Sequence, residues 1–188
     1  MTDEMTEAMG RSWGWILAMG IVMVILGTLG LGATFMVTMA TMFFFGVLIL
    51  IGSGAQLVEA FYVEGWKSRV WQILIAILYF AAGITIINQP ALASSMFTLI
   101  IAFTLIAIGG VRIIAAFQMR GVQGWVWMLI AGIAAVALGT MIVAKWPVSG
   151  LWVIGLFVAI ELIINGWSMI TVALAARKMK SLATVAAD

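Results

Sequence analysis

The chain has no cysteine, no histidine and only two prolines. Without cysteine there is no disulfide framework and no thiolate nucleophile. Without histidine, the commonest metal ligand and the usual near-neutral proton carrier are both missing. Charge is scarce too: nine Lys and Arg with seven Asp and Glu make up 9% of 188 residues. A water-soluble domain needs far more than this to cover its surface. The basic pI rests on a net charge of only +2, so it gives no reason to expect nucleic-acid binding. Grouped carboxylates of the kind that hold a metal are also missing. Gly52-Ser53-Gly54 lies inside an apolar run with no Lys after it, so it is not a phosphate cradle. Ser94 and Ser95 have no base to activate them. The expectation is a protein that is not an enzyme and takes no cofactor or metal.

What the chain has in excess is apolar surface. Hydrophobic residues form 65% of it, and its mean hydropathy is +1.25. Six apolar runs, near 13–32, 37–62, 70–88, 91–118, 126–145 and 148–174, are each long enough to cross a membrane. About 20 helical residues span a hydrocarbon core ~30 Å thick. Helices are required because a spanning segment must satisfy its own backbone hydrogen bonds. The first twelve residues carry Asp3, Glu4 and Glu7 against a single Arg11. A secretory leader starts with positive charge, so the first apolar run reads as a retained helix.

One stretch is used three times: Trp15/Ile21/Gly27, Trp71/Ile77/Gly83 and Trp127/Ile133/Gly139, with a constant step of 56 residues. A small residue precedes each isoleucine, at Gly20, Ala76 and Gly132, and Gly54, Gly110 and Gly166 keep the same step. This is an internal triplication. Each unit holds two spans, with tight turns at Ala33–Met36, Asn88–Pro90 and Lys145–Pro147. The expected architecture is all-α: six transmembrane helices as three tandem parallel hairpins, 13–62, 70–118 and 126–174, with pseudo-threefold symmetry. They form one membrane domain, 13–174, after a short polar segment, 1–12, and before a basic tail, 175–188. Pro90 and Pro147 stand where a new helix can start, since a first-turn residue needs no N–H partner.

Seven basic residues (Arg11, Lys67, Arg69, Arg120, Arg177, Lys178 and Lys180) fall on one side, and only Lys145 on the other. The positive-inside bias then makes both termini cytoplasmic. Trp13, Trp15, Trp66, Trp71, Trp125 and Trp127 mark the cytoplasmic boundary, with Trp146 and Trp152 at the other, as an aromatic belt does. The basic tail is expected to meet anionic headgroups. The stripes Gly20/Gly27, Ala76/Gly83 and Gly132/Gly139 recur every seven residues on one helix face, which lets a neighbouring backbone approach closely. Gly54, Gly110 and Gly166 are expected to do the same on the second helix of each hairpin.

Five polar side chains inside spans call for explanation: Gln56, Glu59, Arg112, Glu161 and Asn165. An ionisable group at membrane depth costs about 2.5–3.5 kcal/mol on insertion scales. Glu161, Asn165 and Ser168 share one helix face, which should point into the bundle or a protomer interface. In the 56-residue register Glu59 and Arg112 differ by three residues, roughly 4.5 Å of rise. They are expected to pair if their helices are neighbours, which leaves Glu161 without a fixed cation.

The recurrent Trp71, Ile77, Gly83, Pro90 and Gly110, echoed by Trp127, Ile133, Gly139, Pro147 and Gly166, resemble the HdeD family of short-repeat membrane proteins. The first unit departs from this pattern by lacking the turn proline. The resemblance implies a bacterial inner-membrane stress protein linked to survival at low pH. It would work among membrane lipids, as a homo-oligomer or with an unidentified membrane or periplasmic partner. The alternatives are a small proton or solute channel or transporter using Glu161, Asn165, Arg112 and Glu59, and a lipid-binding membrane scaffold.

Overall fold

The computed structural model describes the backbone of residues 2–187 and the side chains of residues 13–178. Six helices account for nearly all of it: α1 (Thr2–Gly32), α2 (Thr34–Tyr62), α3 (Trp66–Asn88), α4 (Pro90–Gln118), α5 (Trp125–Ala144) and α6 (Val153–Ala187). A short 3-10 turn, Val148–Leu151, stands between α5 and α6. Each helix holds a membrane-length apolar stretch; the first runs Trp13–Gly32 and the last Val153–Lys178. The chain is therefore an all-α, multi-pass membrane protein. The sequence places five of the six spans to within a few residues. The sixth starts at Val153 instead of 148, because the 3-10 turn comes first. At the two ends, α1 begins at Thr2 and α6 runs to Ala187, so the helices continue through the segments expected as polar lead and basic tail.

Burial is arranged for lipid, with small residues inside and large apolar ones outside. The largest fully buried side chains are Val153, Thr38, Thr98, Ser94 and Ser149, while Leu29, Ile51, Phe61, Ile100 and Val111 are all more than 60% exposed. A soluble core has the opposite order. In lipid the exposed apolar groups cost nothing, and close backbone approach is the main source of helix association.

The helices form two compact units, α1 with α6 and α2 through α5. Within them they pair as α1·α6, α2·α3 and α4·α5. This corrects the expected hairpins: each first helix packs on the second helix of another repeat, not on the span that follows it. Small residues decide the partner. A Cβ at Gly27 would meet the Ala159 carbonyl at 2.8 Å, one at Gly83 the Gly46 carbonyl at 3.1 Å, and one at Gly139 the Ala102 carbonyl at 2.7 Å. One level along, Gly20 and Gly166 face each other, as do Gly132 and Gly109. The connections support these pairings. Glycines at φ 93° (Gly65) and 98° (Gly124) lead directly into α3 and α5. That backbone region is open to glycine and strained for other residues. By contrast, α3 and α4 are joined through Gln89 alone, and α1 and α2 through Ala33.

The contacts also correct the register of the second helices. Positions 46 and 102 are 56 apart, but 102 and 159 are 57 apart. The third unit carries one extra residue, and it lies in the turn before α6. As a result the counterparts of Gly166 are Gly109 and Ser53, and nothing lies within 4 Å of a Cβ at Gly54 or Gly110. The expected packing role at Gly54 and Gly110 thus falls one residue earlier, to buried Ser53 and Gly109.

The lengthened turn folds back on α4. Pro90 starts α4, as its position suggests. Pro147, after a cis peptide bond, leads instead into the 3-10 turn. The Trp146 indole Nε1–H donates to the Ser95 carbonyl (3.2 Å), and the Ser149 hydroxyl to the Ile142 carbonyl (2.9 Å). Gly150 rests directly against the Ser95 backbone. Beneath this clasp, Ala102, Ile142 and Val153 form a small apolar core with Leu105 and Val143 against it.

Candidate functional site

Hydroxyls that face lipid can satisfy themselves, and here they do. Thr28, Thr85, Thr104, Thr140 and Ser168 each donate to a carbonyl four residues back, at 2.7–2.9 Å. The short side chain folds onto its own helix, so no partner helix is needed. A carboxyl, a carboxamide or a guanidinium cannot hide this way, which singles out Gln56, Glu59, Arg112, Glu161 and Asn165.

Four of these five are exposed, and Gln56 is half-buried. Among the described residues none of the five forms an ion pair or a side-chain hydrogen bond. The expected Arg112–Glu59 pair is therefore absent. The two match in depth but not in direction, since Glu59 lies on the side of α2 away from the Gly46/Leu50 face that meets α3, roughly half a turn round. Arg112 stands beside, not on, the Gly109/Ile113 face that meets α5. Both sit near their helix ends, at Tyr62 and Gln118, where a long side chain reaches the headgroups.

Glu161 and Asn165 have no such escape. With the span at Val153–Lys178, Asn165 is at the middle of the helix and Glu161 about 6 Å toward its start. Both are exposed, so of the two settings expected for this face, the bundle interior and a protomer interface, the first does not hold within the chain. Among the described residues no cation pairs with Glu161.

Two other features lie within the compact unit Phe35–Ile154. A crevice of about 150 Å³ is lined by Met42, Phe45, Phe97, Ile101 and Ile154, all apolar. It has no convergent polar groups of the kind that fix a polar ligand. Nearby in sequence, the buried hydroxyls of Ser94 and Ser95 donate to Ala91 and Leu92, and Thr98 Oγ1 is buried without a partner. No metal-holding cluster occurs among the described residues. Within the α1–α6 unit, Arg177 stacks on Trp13 with its guanidinium carbon 5.3 Å from the ring centre, and within the α2–α5 unit Arg120 stacks on Phe117 at 4.4 Å. Cation–π contact thus holds these two basic groups beside aromatic faces, a role for Arg177 that the basic-tail reading missed.

The sequence singled out the polar side chains but missed Gly46, Gly109 and the clasp at Trp146–Gly150. Gly46 belongs to no glycine repeat, because its counterparts are alanines at 102 and 159.

No curated protein and no solved structure matches the chain. A family model described as a short repeat of unknown function, DUF308, matches residues 18–88 and again 74–144. The second placement lies 56 residues after the first (74 − 18 and 144 − 88), the same step as the Trp/Ile/Gly repeat. The two placements together span α1 through α5, well over half of the sequence, and the chain belongs to this DUF308 short-repeat family.

Proposed function

We propose that this is a non-enzymatic bacterial inner-membrane protein of the HdeD kind, which protects the membrane under acid stress as a scaffold. The 56-residue repeat carries the reading: Trp, Ile and Gly at a fixed step, with DUF308 matching twice in that step. The two-span repeat argues for three parallel units about a pseudo-threefold axis. Seven basic residues on one side against Lys145 on the other argue for cytoplasmic termini. A scaffold has more support than a channel, because Glu161, Asn165, Arg112 and Glu59 are each exposed on their own helices.

Survival tests the role. Bacteria producing the chain should outlast cells with an empty vector after a low-pH challenge, by tenfold or more, with no proton leak in proteoliposomes. Equal survival would remove the acid-stress reading, and a leak above empty liposomes would replace the scaffold with a channel.

Orientation has its own test, helped by the absence of cysteine. In intact cells a membrane-impermeant thiol reagent should label Gln89→Cys, in the α3–α4 turn. It should label Ser68→Cys, beside Lys67 and Arg69, only after permeabilisation. The reverse pattern would invert the topology.

A further inference from the structure

α6 has two contrasting faces. One, with Ala159, Ile163, Gly166 and Ile170, packs on α1 through Gly27, Gly20 and Val24. At 3.6 residues per turn, Glu161, Asn165 and Ser168 centre within roughly 20° of the diametrically opposite line. All three are exposed on the finished chain, and Phe157, Ile164 and Val172 flank them, each more than 40% exposed. The outward face of α6 is thus a polar stripe edged by large apolar side chains.

We propose that this stripe is a self-association surface, on which α6 of one copy lies along α6 of a second copy in the same membrane. The proposal is independent of the acid-stress reading.

Depth removes the other ways of satisfying the stripe. Asn165 is 12 residues from Val153 and 13 from Lys178, so roughly 18–20 Å of helix separates it from either end. No headgroup comes to that level, and the side chain is too short to reach one. Acyl chains offer neither donor nor acceptor, and no described residue of the chain supplies one to Glu161 or Asn165. What can meet them is another protein surface with hydrogen-bonding groups at the same depth.

A second copy supplies that surface without further assumptions. Copies inserted with one topology present identical residues at identical depths. A twofold contact between them is isologous, so every pairing forms twice. The stripe is complementary to itself. A carboxamide both donates and accepts, and a carboxyl accepts in either protonation state. Identical depth sets Asn165 against Asn165, where each carboxamide can donate to and accept from the other, with the two Glu161 carboxyls one helical turn away, about 6 Å of rise. Phe157, Ile164 and Val172 then close around the polar centre and shut lipid out.

The test is single-cysteine cross-linking of the full chain in isolated membranes, clean because the protein has no cysteine of its own. Ser168→Cys and Ile164→Cys should give an oxidised species of twice the monomer mass, at least tenfold above Leu78→Cys, a lipid-facing control on α3. In the Ser168→Cys background, Glu161→Leu with Asn165→Leu should lower that yield at least tenfold, and Glu161→Gln should preserve it. Both Leu replacements lie on the exposed face, and an unchanged melting temperature of the monomer in detergent checks that the fold survives. Cross-linking at the level of the control, an adduct of any mass other than a dimer, or a yield indifferent to the double replacement would each overturn the proposal.

Discussion

Gly109→Ala destabilises the protein, and Gly110→Ala, one residue along the same helix, does not. A Cβ at Gly109 would stand 2.7 Å from the Gly132 carbonyl oxygen and 2.9 Å from the Val136 nitrogen. Both atoms belong to the α5 backbone and cannot swing aside as a side-chain tip can. The two helices must separate, and overpacking a closely fitted contact costs about 1–3 kcal/mol. The cost is compounded in lipid, where association depends on close contact because no hydrophobic force drives helices together. At Gly110 the added methyl meets nothing within 4 Å. Replacing a mid-helix glycine there recovers backbone entropy, worth about 0.5–1 kcal/mol. Thermal unfolding in detergent, followed by tryptophan fluorescence, separates the two. At about 2–4 °C per kcal/mol, Gly109→Ala should melt several degrees below the parent and Gly110→Ala slightly above it. The opposite order would mean that α4 packs through the Gly110 face and that the sequence-based register is the true one.

That contrast shows how far the sequence reaches. The stripe on each first helix was legible, because Gly20/Gly27, Ala76/Gly83 and Gly132/Gly139 repeat both within a helix and between units, and each of the five glycines among them lies close against a facing helix. The facing stripe on the second helices was not. One extra residue before α6 moves the step from 56 to 57, so an ungapped reading picks Gly54 and Gly110 in place of Ser53 and Gly109. The choice of partner was hidden for a related reason. Sequence neighbours joined by one residue look like a hairpin, but the side chains that allow close approach face a different helix.

The polar residues follow the same logic. Apolar surroundings make Glu161, Asn165, Arg112, Glu59 and Gln56 conspicuous in any reading of the chain. Helical periodicity fixes which of them share a face and how deep they lie, but not which way that face turns in the folded chain. Depth alone suggested pairing Arg112 with Glu59; azimuth separates them. Direction became visible for α6 only once Ala159, Ile163 and Gly166 were seen against α1.

Gly150→Val is the second substitution with a large expected effect, because it strikes the clasp that the extra residue makes possible. Gly150 is buried against the Ser95 backbone, and its Cβ would also come within 2.7 Å of Ser95 Cβ. Ser95 is itself fixed in the first turns of α4 by its hydroxyl bond to Leu92. Neither side can yield without lifting the 3-10 turn from α4. Lifting it would strain the Trp146 bond to the Ser95 carbonyl and the Ser149 bond to Ile142, each worth about 0.5–1.5 kcal/mol. It would also uncover the contact of Val153 with Ala102 and Ile142. A loss of about 2–4 kcal/mol is expected, the overpacking cost with one of these bonds added. Trp146→Phe keeps the ring and removes only the indole donor, so it should cost about 1 kcal/mol. Gly32→Val, at the end of α1 where a Cβ meets nothing within 4 Å, is the matched control and should change the melting temperature little. Limited proteolysis then locates the damage: in Gly150→Val, cleavage should begin between Lys145 and Trp152. Protection there equal to the parent's, with stability unchanged, would show that the turn does not rest on α4.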